Sequence, residues 1–179
     1  MKIISGSFKG RPIKISKENS FRPTLSRIRE DVFNLLEHNN ILNVNFKDSV
    51  FYDLFCGSGS IGIEALSRGA KKVIFNDIDN LNIQSVKNFL IKTELDNYEI
   101  YNNDAFTNKG LISEEVNIVY IDPPYISDIK LVEKNIFPQI PNNCLIIFET
   151  DQKFEHQDLI FKKEYRNKNL IFLKKINDT

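Results

Sequence analysis

With 179 residues, 41% of them hydrophobic and 14 of them Phe, the chain can bury roughly 70% of its unfolded surface as one domain, which excludes disorder. No apolar run approaches the ~20 residues of a membrane span, and MKIISGSFKG lacks the apolar core of a secretion signal. Cys56 and Cys144, like His38 and His156, give neither a disulfide framework nor metal-ligand spacing, so a soluble cytoplasmic protein without a metal is expected. The formal net charge of zero is unevenly spread: residues 1–30 hold eight Lys or Arg against Glu18 and Glu30, whereas residues 31–150 hold nine bases against seventeen acids. A basic arm on an acidic body marks either a nucleic-acid partner or a solvated surface.

In chain order, IISGSFKGRPIKI is a candidate hairpin, with β-branched flanks around Gly6 and Gly10. RPTLSRIREDVFNLLEH then places Leu25, Ile28, Val32, Leu35 and Leu36 on one helical face, behind a capping Thr24. Arg27 falls opposite that face and Arg29 on its border, so the helix is expected to bind the body on one side and meet a partner on the other. Residues 1–40 are thus expected to form a basic extension and 41–179 the main domain, together one compact unit.

From Val50 the apolar runs VFYDLF, KKVIFND, YEIYNND, NIVYID and CLIIFET alternate with helical stretches at 60–68, 80–93 and 128–137. That alternation predicts an α/β fold with a mostly parallel sheet covered on both faces. LIFKKEYRNKNLIFLKK has no room for a helix between its two runs and predicts an antiparallel C-terminal hairpin at the sheet edge.

Ligands of open α/β sheets bind at the carboxyl ends of the strands, and there the chain places acids. Strand one leads through Asp53 into Gly57, Ser58, Gly59 and Gly62, a G-x-G-x-x-G spacing that opens a helix. Strand two is expected to end at Asp77, eighteen residues after Gly59, near the offset of an acid that holds ribose hydroxyls. Strand three is expected to end at Asp104 and strand four at Asp122, while Asp79 reads as a helix cap. Glycine loop and Asp77 together indicate a nucleoside-containing cofactor, either a dinucleotide or S-adenosylmethionine. A pyrophosphate wants a helix N-terminus free of carboxylates, whereas a sulfonium cation suits a pocket ringed by four of them. The second molecule is the better match.

Asp122-Pro123-Pro124-Tyr125 closes strand four with a stiff, donor-free corner. A carboxylate and peptide oxygens are pure acceptors, able to hold both hydrogens of an exocyclic amine while Tyr125 stacks on the plane that carries it. Asp122 is assigned positioning and polarisation first and proton removal second.

DLFCGSGSIGIEALSRGA with IDPPY resembles motifs one and four of the amino methyltransferases. IISGSFKGRPIKI, FRPTLSRIREDVFNLL and EALSRGA extend the resemblance over nearly the whole chain to the RsmD family, bacterial enzymes that methylate guanine N2 at the position numbered 966 in 16S ribosomal RNA. The resemblance implies a Rossmann-like methyltransferase fold with a seven-stranded sheet and S-adenosylmethionine as cofactor. Asp53, Gly57 and Gly59 would border its methionine part, Asp77 the ribose, and Asp104 with Ala105 the adenine edge. Asp122, Pro123 and Tyr125 would receive a flipped guanine, and Lys9, Arg11, Arg22, Thr24, Arg27 and Arg29 would contact RNA, within a partly assembled small ribosomal subunit. Cys56 stands where the family has a small Ala, and Arg166 where it usually has Gly. The rival readings are an adenine-N6 or glutamine methyltransferase, an NAD-dependent oxidoreductase, and a non-catalytic RNA-binding protein.

Overall fold

Seven apolar runs become the strands of one sheet, and all seven are short enough that their positions follow from where turn and helix signals interrupt them. In the computed structural model, which describes residues 1–14, 23–42, 44–124 and 128–175 (for 23–25 the backbone alone), the elements follow the alternation in the sequence. They are α1 (Pro23–His38), β1 (Val50–Asp53), α2 (Ser60–Ser67), β2 (Lys72–Asn76), α3 (Asn80–Leu90), β3 (Tyr98–Tyr101), β4 (Ile118–Ile121), α4 (Ile129–Asn135), β5 (Leu145–Thr150), β6 (Leu159–Glu164) and β7 (Asn169–Lys174). The strand order is β3-β2-β1-β4-β5-β7-β6. β1 to β5 pair in parallel, β7 runs antiparallel between β5 and β6, and the C-terminal hairpin closes through a Tyr165 N–H to Lys168 carbonyl bond of 2.7 Å. Arg166 is accommodated in that turn without a positive φ.

Period-two alternation divides the strand side chains between two apolar layers. Phe51, Phe75, Tyr120, Ile147 and Phe172 face one layer with α1, α2 and α3; Tyr52, Ile74, Val119, Phe148 and Ile171 face the other with α4. Among the described residues, no helix is long and apolar enough to cross a membrane.

Three sequence expectations change. β3 stops at Tyr101, so Asp104 lies on the loop beyond it rather than at the strand end. α1 begins at Pro23, a residue whose fixed φ and missing N–H suit a first helical position, so Thr24 stands inside the first turn instead of capping it. Arg29, expected to meet RNA, is 2% exposed. Its Nη2 donates to the Lys2 carbonyl at 2.6 Å and its Nε lies 3.9 Å from the Glu64 carboxylate. Phe33 widens the apolar face of α1 to beside Arg29, and the N-terminal segment closes over it.

That segment is a hairpin-like loop with one antiparallel bridge, Lys2 to Pro12. It is held by Glu64, a fully buried acid of α2 that accepts the amides of Ile4 and Ser5 at 2.8 and 2.9 Å and pairs with Arg68 Nε at 2.9 Å. Ile3, Phe8 and Ile13 are buried against the α1 layer, and Gly6 passes so close that a Cβ would sit 1.7 Å from the Ser67 carbonyl oxygen. Removing one member of a buried charge cluster strands the others, at a cost of about 3–5 kcal/mol. Glu64→Ala is therefore expected to lose roughly that much stability in urea denaturation and to expose residues 1–14 to limited proteolysis; unchanged stability would show that the cluster does not hold the segment.

Candidate active site

The chain goes from β1 outward to β2 and β3, then crosses back to β4 and β5. The strand order therefore reverses between β1 and β4, and a crevice opens beyond their carboxyl ends. Asp53 ends β1, opposite Tyr120 of β4, and Asp122 follows β4 directly. The loop after β1 is tied to both neighbours: the Leu54 amide donates to the Tyr120 carbonyl at 3.0 Å and the Cys56 amide to the Asn76 carbonyl at 2.8 Å. Cys56 itself is buried, and burial pushes its thiol pKa up, so it acts as a small core residue.

The three glycines serve different needs. At Gly62 a Cβ would lie 2.2 Å from the Phe75 ring, so this glycine lets α2 close onto β2. Gly59, at φ 72°, is the N-cap of α2, and a Cβ there would meet Val86 at 2.7 Å. Gly57, at φ 51°, has open space where its Cβ would point, which is the free volume a cofactor beside the loop requires. Ser58, between them, is half-exposed.

Four acids do lie near this edge, but three of them are engaged by the backbone. Since Gly59 offers no side chain to the start of α2, Asp53 does so from β1: its Oδ2 accepts the Gly62 amide at 2.9 Å, a carboxylate at a helix N-terminus. Burial raises the Asp53 pKa to about 7 against that hydrogen bond, with added repulsion from Asp77, Asp122 and Glu149. Asp77 uses one oxygen for the Gly57 amide at 2.7 Å and the other for the Asp79 amide at 2.8 Å, so it draws the glycine loop onto the end of β2. Each oxygen keeps a further lone pair for a ligand hydroxyl. Asp79 caps α3 as expected, accepting the Leu81 amide. Asp104 shapes its own turn through the Phe106 amide and the Thr107 hydroxyl, and Ala105 is buried in the core beside it.

Asp122 differs. Its side chain is 30% exposed, and its Oδ1 accepts from Lys168 Nζ at 2.7 Å; the same nitrogen reaches Glu149 Oε2 at 2.7 Å. Neither Lys168 nor Glu149 was singled out in the sequence: a lysine in a charged hairpin carries no motif, and Glu149, near the end of the run CLIIFET, was passed over although the other strand-end acids were not. Asn76 was also missed: its side chain donates to the Leu54 and Asn103 carbonyls, which joins the loops after β1 and β3. Ile78, 66% exposed directly after Asp77, is an apolar surface beside the loop that its isolated position in the sequence did not reveal.

Pro123 and Pro124 are placed as expected beyond β4, while Tyr125, Arg22 and the Thr24 side chain lie outside the described residues. Of the basic residues, Arg27 is exposed on α1 and close enough to influence Asp31 and Tyr165 near the C-terminal hairpin. Lys9 and Arg11 are exposed on the N-terminal loop, Arg11 over the Phe8 ring at 5.0 Å. That loop docks on Ser67 at the far end of α2 from Gly59, so these two are not brought together with the acids.

The family model described as "Conserved hypothetical protein 95" matches residues 1–173. The chain is 31% identical over 180 residues to the ribosomal RNA small subunit methyltransferase D of Buchnera aphidicola subsp. Baizongia pistaciae, across 95% of this chain and 88% of that one. The solved structure of yhhF from Escherichia coli superposes with a TM-score of 0.79 at 25% identity, covering 99% of both chains. An RNA methyltransferase from Salinibacter ruber, solved with S-adenosyl-L-homocysteine, has a TM-score of 0.67 over 88% of this chain and 96% of that one; at 17% identity the likeness is one of fold.

The glycines give a graded expectation. Gly59→Ala combines a left-handed backbone with a 2.7 Å clash and should cost about 3 kcal/mol in urea denaturation. Gly57→Ala, facing open space, should cost about 1 kcal/mol yet weaken S-adenosylhomocysteine binding in calorimetric titration. Equal stability losses, or unaltered binding in Gly57→Ala, would contradict the division of roles.

Proposed function

We propose that this chain, which belongs to the RsmD family described as "Conserved hypothetical protein 95", transfers a methyl group from S-adenosyl-L-methionine to the N2 amine of a guanine in 16S ribosomal RNA, at the 966-type position. The observation that carries the reading is the pairing, at the point where strand order reverses, of a glycine loop with free volume at Gly57 and a carboxylate-bearing double-proline corner after β4.

The residues present fit the cofactor. Gly57, Ser58 and Gly59 would line its methionine part with Asp53 beneath, Asp77 would accept from the ribose, and Asp104, the Ala105 backbone and the Ile78 side chain would flank the adenine. When bound, S-adenosylmethionine supplies an electrophilic methyl group on a cationic sulfur. A carboxylate-rich surround favours that cation over a pyrophosphate, which argues against the NAD reading.

Asp122 and the peptide oxygens of the proline corner accept both hydrogens of the guanine amine, and Tyr125 stacks on the base. An aryl amine is a poor nucleophile because its lone pair is delocalised, so holding the nitrogen ~3–3.5 Å from the methyl carbon, in line, is the main task of the corner. An Asp122 oxygen that already accepts from a lysine ammonium is held in place by it, which supports positioning ahead of proton removal. A paired guanine cannot reach such a corner; it must be unpaired or flipped, at a cost of a few kcal/mol. Arg11, Arg22, Arg27 and Lys9 offset that cost by gripping RNA phosphates within a partly assembled small subunit, in the cytoplasm.

Two experiments test this. Small subunits lacking the modification, incubated with methyl-labelled S-adenosylmethionine, should carry the label on one guanine N2 of 16S RNA; Asp122→Ala should lower the rate at least about a hundredfold while S-adenosylhomocysteine still binds. Label on an adenine or a glutamine would overturn the substrate assignment. Replacing Arg11, Arg22 and Arg27 with Ala should flatten the dependence of log affinity on log salt by roughly 0.7–0.9 per lost phosphate contact; an unaltered slope would remove these residues from the RNA surface.

A further inference from the structure

Lysine is rarely buried without a compensating partner, and Lys168 is 7% exposed. It directly precedes β7 at the end of the hairpin turn, and its ammonium lies 2.7 Å from Asp122 Oδ1 and 2.7 Å from Glu149 Oε2. Glu149 belongs to β5, the strand beside β4, and is itself 2% exposed. One cation thus joins three elements: the hairpin turn, the end of β5, and the corner after β4. Asp122, Pro123, Pro124, Glu149, Asp151, Gln152 and Lys168 border one small cavity behind that corner. Burial alone would pull the Lys168 pKa down, but Glu149 and Asp122 outweigh it and leave it raised, so the lysine keeps its charge.

We propose that Lys168 is a positioning residue for methyl transfer: its ammonium, anchored by Glu149, keeps Asp122 charged and fixed as an acceptor facing the substrate amine. This rests on the proposed function of the same corner. The argument is one of balance. Asp122 is surrounded by acids: Glu149 and Asp151 from the end of β5, and Asp53 from β1. Among the described residues, Tyr165 of the hairpin also feels Glu149 and is pushed up by burial, so it stays neutral. Without the ammonium the carboxylates of Asp122 and Glu149 would repel and titrate as a coupled pair, and a proton shared between them places a donor where the amine needs an acceptor. The anchor also explains why a buried acid at the end of β5 is tolerated: the lysine satisfies it.

The test compares the wild type with Lys168→Met, Lys168→Arg and Lys168→Met combined with Glu149→Gln. Carbon-detected NMR titration reads the midpoint of the Asp122 carboxyl directly, and kcat/KM for methylation of small-subunit RNA is measured from pH 5.5 to 8.5. Lys168→Met should raise the Asp122 midpoint and the acid limb of the rate profile together by about one unit or more, with a severalfold loss of rate below the raised midpoint that vanishes toward pH 8. Lys168→Arg should stay near the wild type. The added Glu149→Gln should return the midpoint most of the way, which a merely structural role would not do. Should Lys168→Met fail to fold, Lys168→Gln, which keeps a donor without the charge, is read in the same way. An unmoved midpoint in the folded variant overturns the role of Lys168, whatever the protein methylates. A wild type that labels no small-subunit RNA overturns the proposed function instead, and the NMR midpoint still decides the lysine.

Discussion

Parallel strands share one carboxyl edge, and the reversal of strand order between β1 and β4 leaves that edge uncovered at one place. The rest of the site depends on this constraint. The glycine loop has to leave β1 and the proline corner has to leave β4, and hydrogen bonds between the two strands fix how far apart they start. Each exit solves a different problem. The glycines let the backbone turn tightly and leave space at Gly57, whereas the prolines remove donors and stiffen the corner that carries Asp122.

Carboxylates are the common material of this molecule, and the structure shows how their burial is tolerated. Asp53 and Asp77 accept backbone amides of the glycine loop and the start of α2, so they shape the site as well as face it. Glu64 performs a similar service at the other side of the fold, where it gathers Arg29, Arg68 and the amides of Ile4 and Ser5 to seat the N-terminal loop. Glu149 and Asp122 share Lys168. In each case an acid that would be costly alone is matched by donors that include groups of another element. Charge in the site is therefore inseparable from the fold around it.

Local signals made most of the architecture legible. Apolar runs interrupted by turn residues located the strands of the sheet, the missing helix between the last two runs gave the antiparallel hairpin, and the G-x-G-x-x-G spacing located the loop. What failed was long-range pairing. Helical periodicity put Arg29 at the border of an apolar face, but could not show that a segment 27 residues earlier would close over it. The run YEIYNND placed Asp104 at a strand end; in the fold the Asn102 side chain donates to the Asp77 carbonyl and the Asn103 amide to the Asn76 side chain, so the chain leaves the strand before Asp104. Lys168 sits among other lysines in the sequence, and only the register of β7 against β5 brings it to Glu149 and Asp122. Periodicity speaks for a residue's own element, while partners across the sheet are set by topology.

The central claim is that the double-proline corner presents acceptors to a planar amine opposite the methyl donor. A crystal structure of the chain with bound S-adenosylmethionine, or a stable analogue that keeps its charge, tests this most directly. The account predicts the sulfonium over the glycine loop with its methyl directed at the oxygens of Asp122 and Pro123. A methyl group directed away from that corner, with the corner walled off from the cofactor, would contradict it.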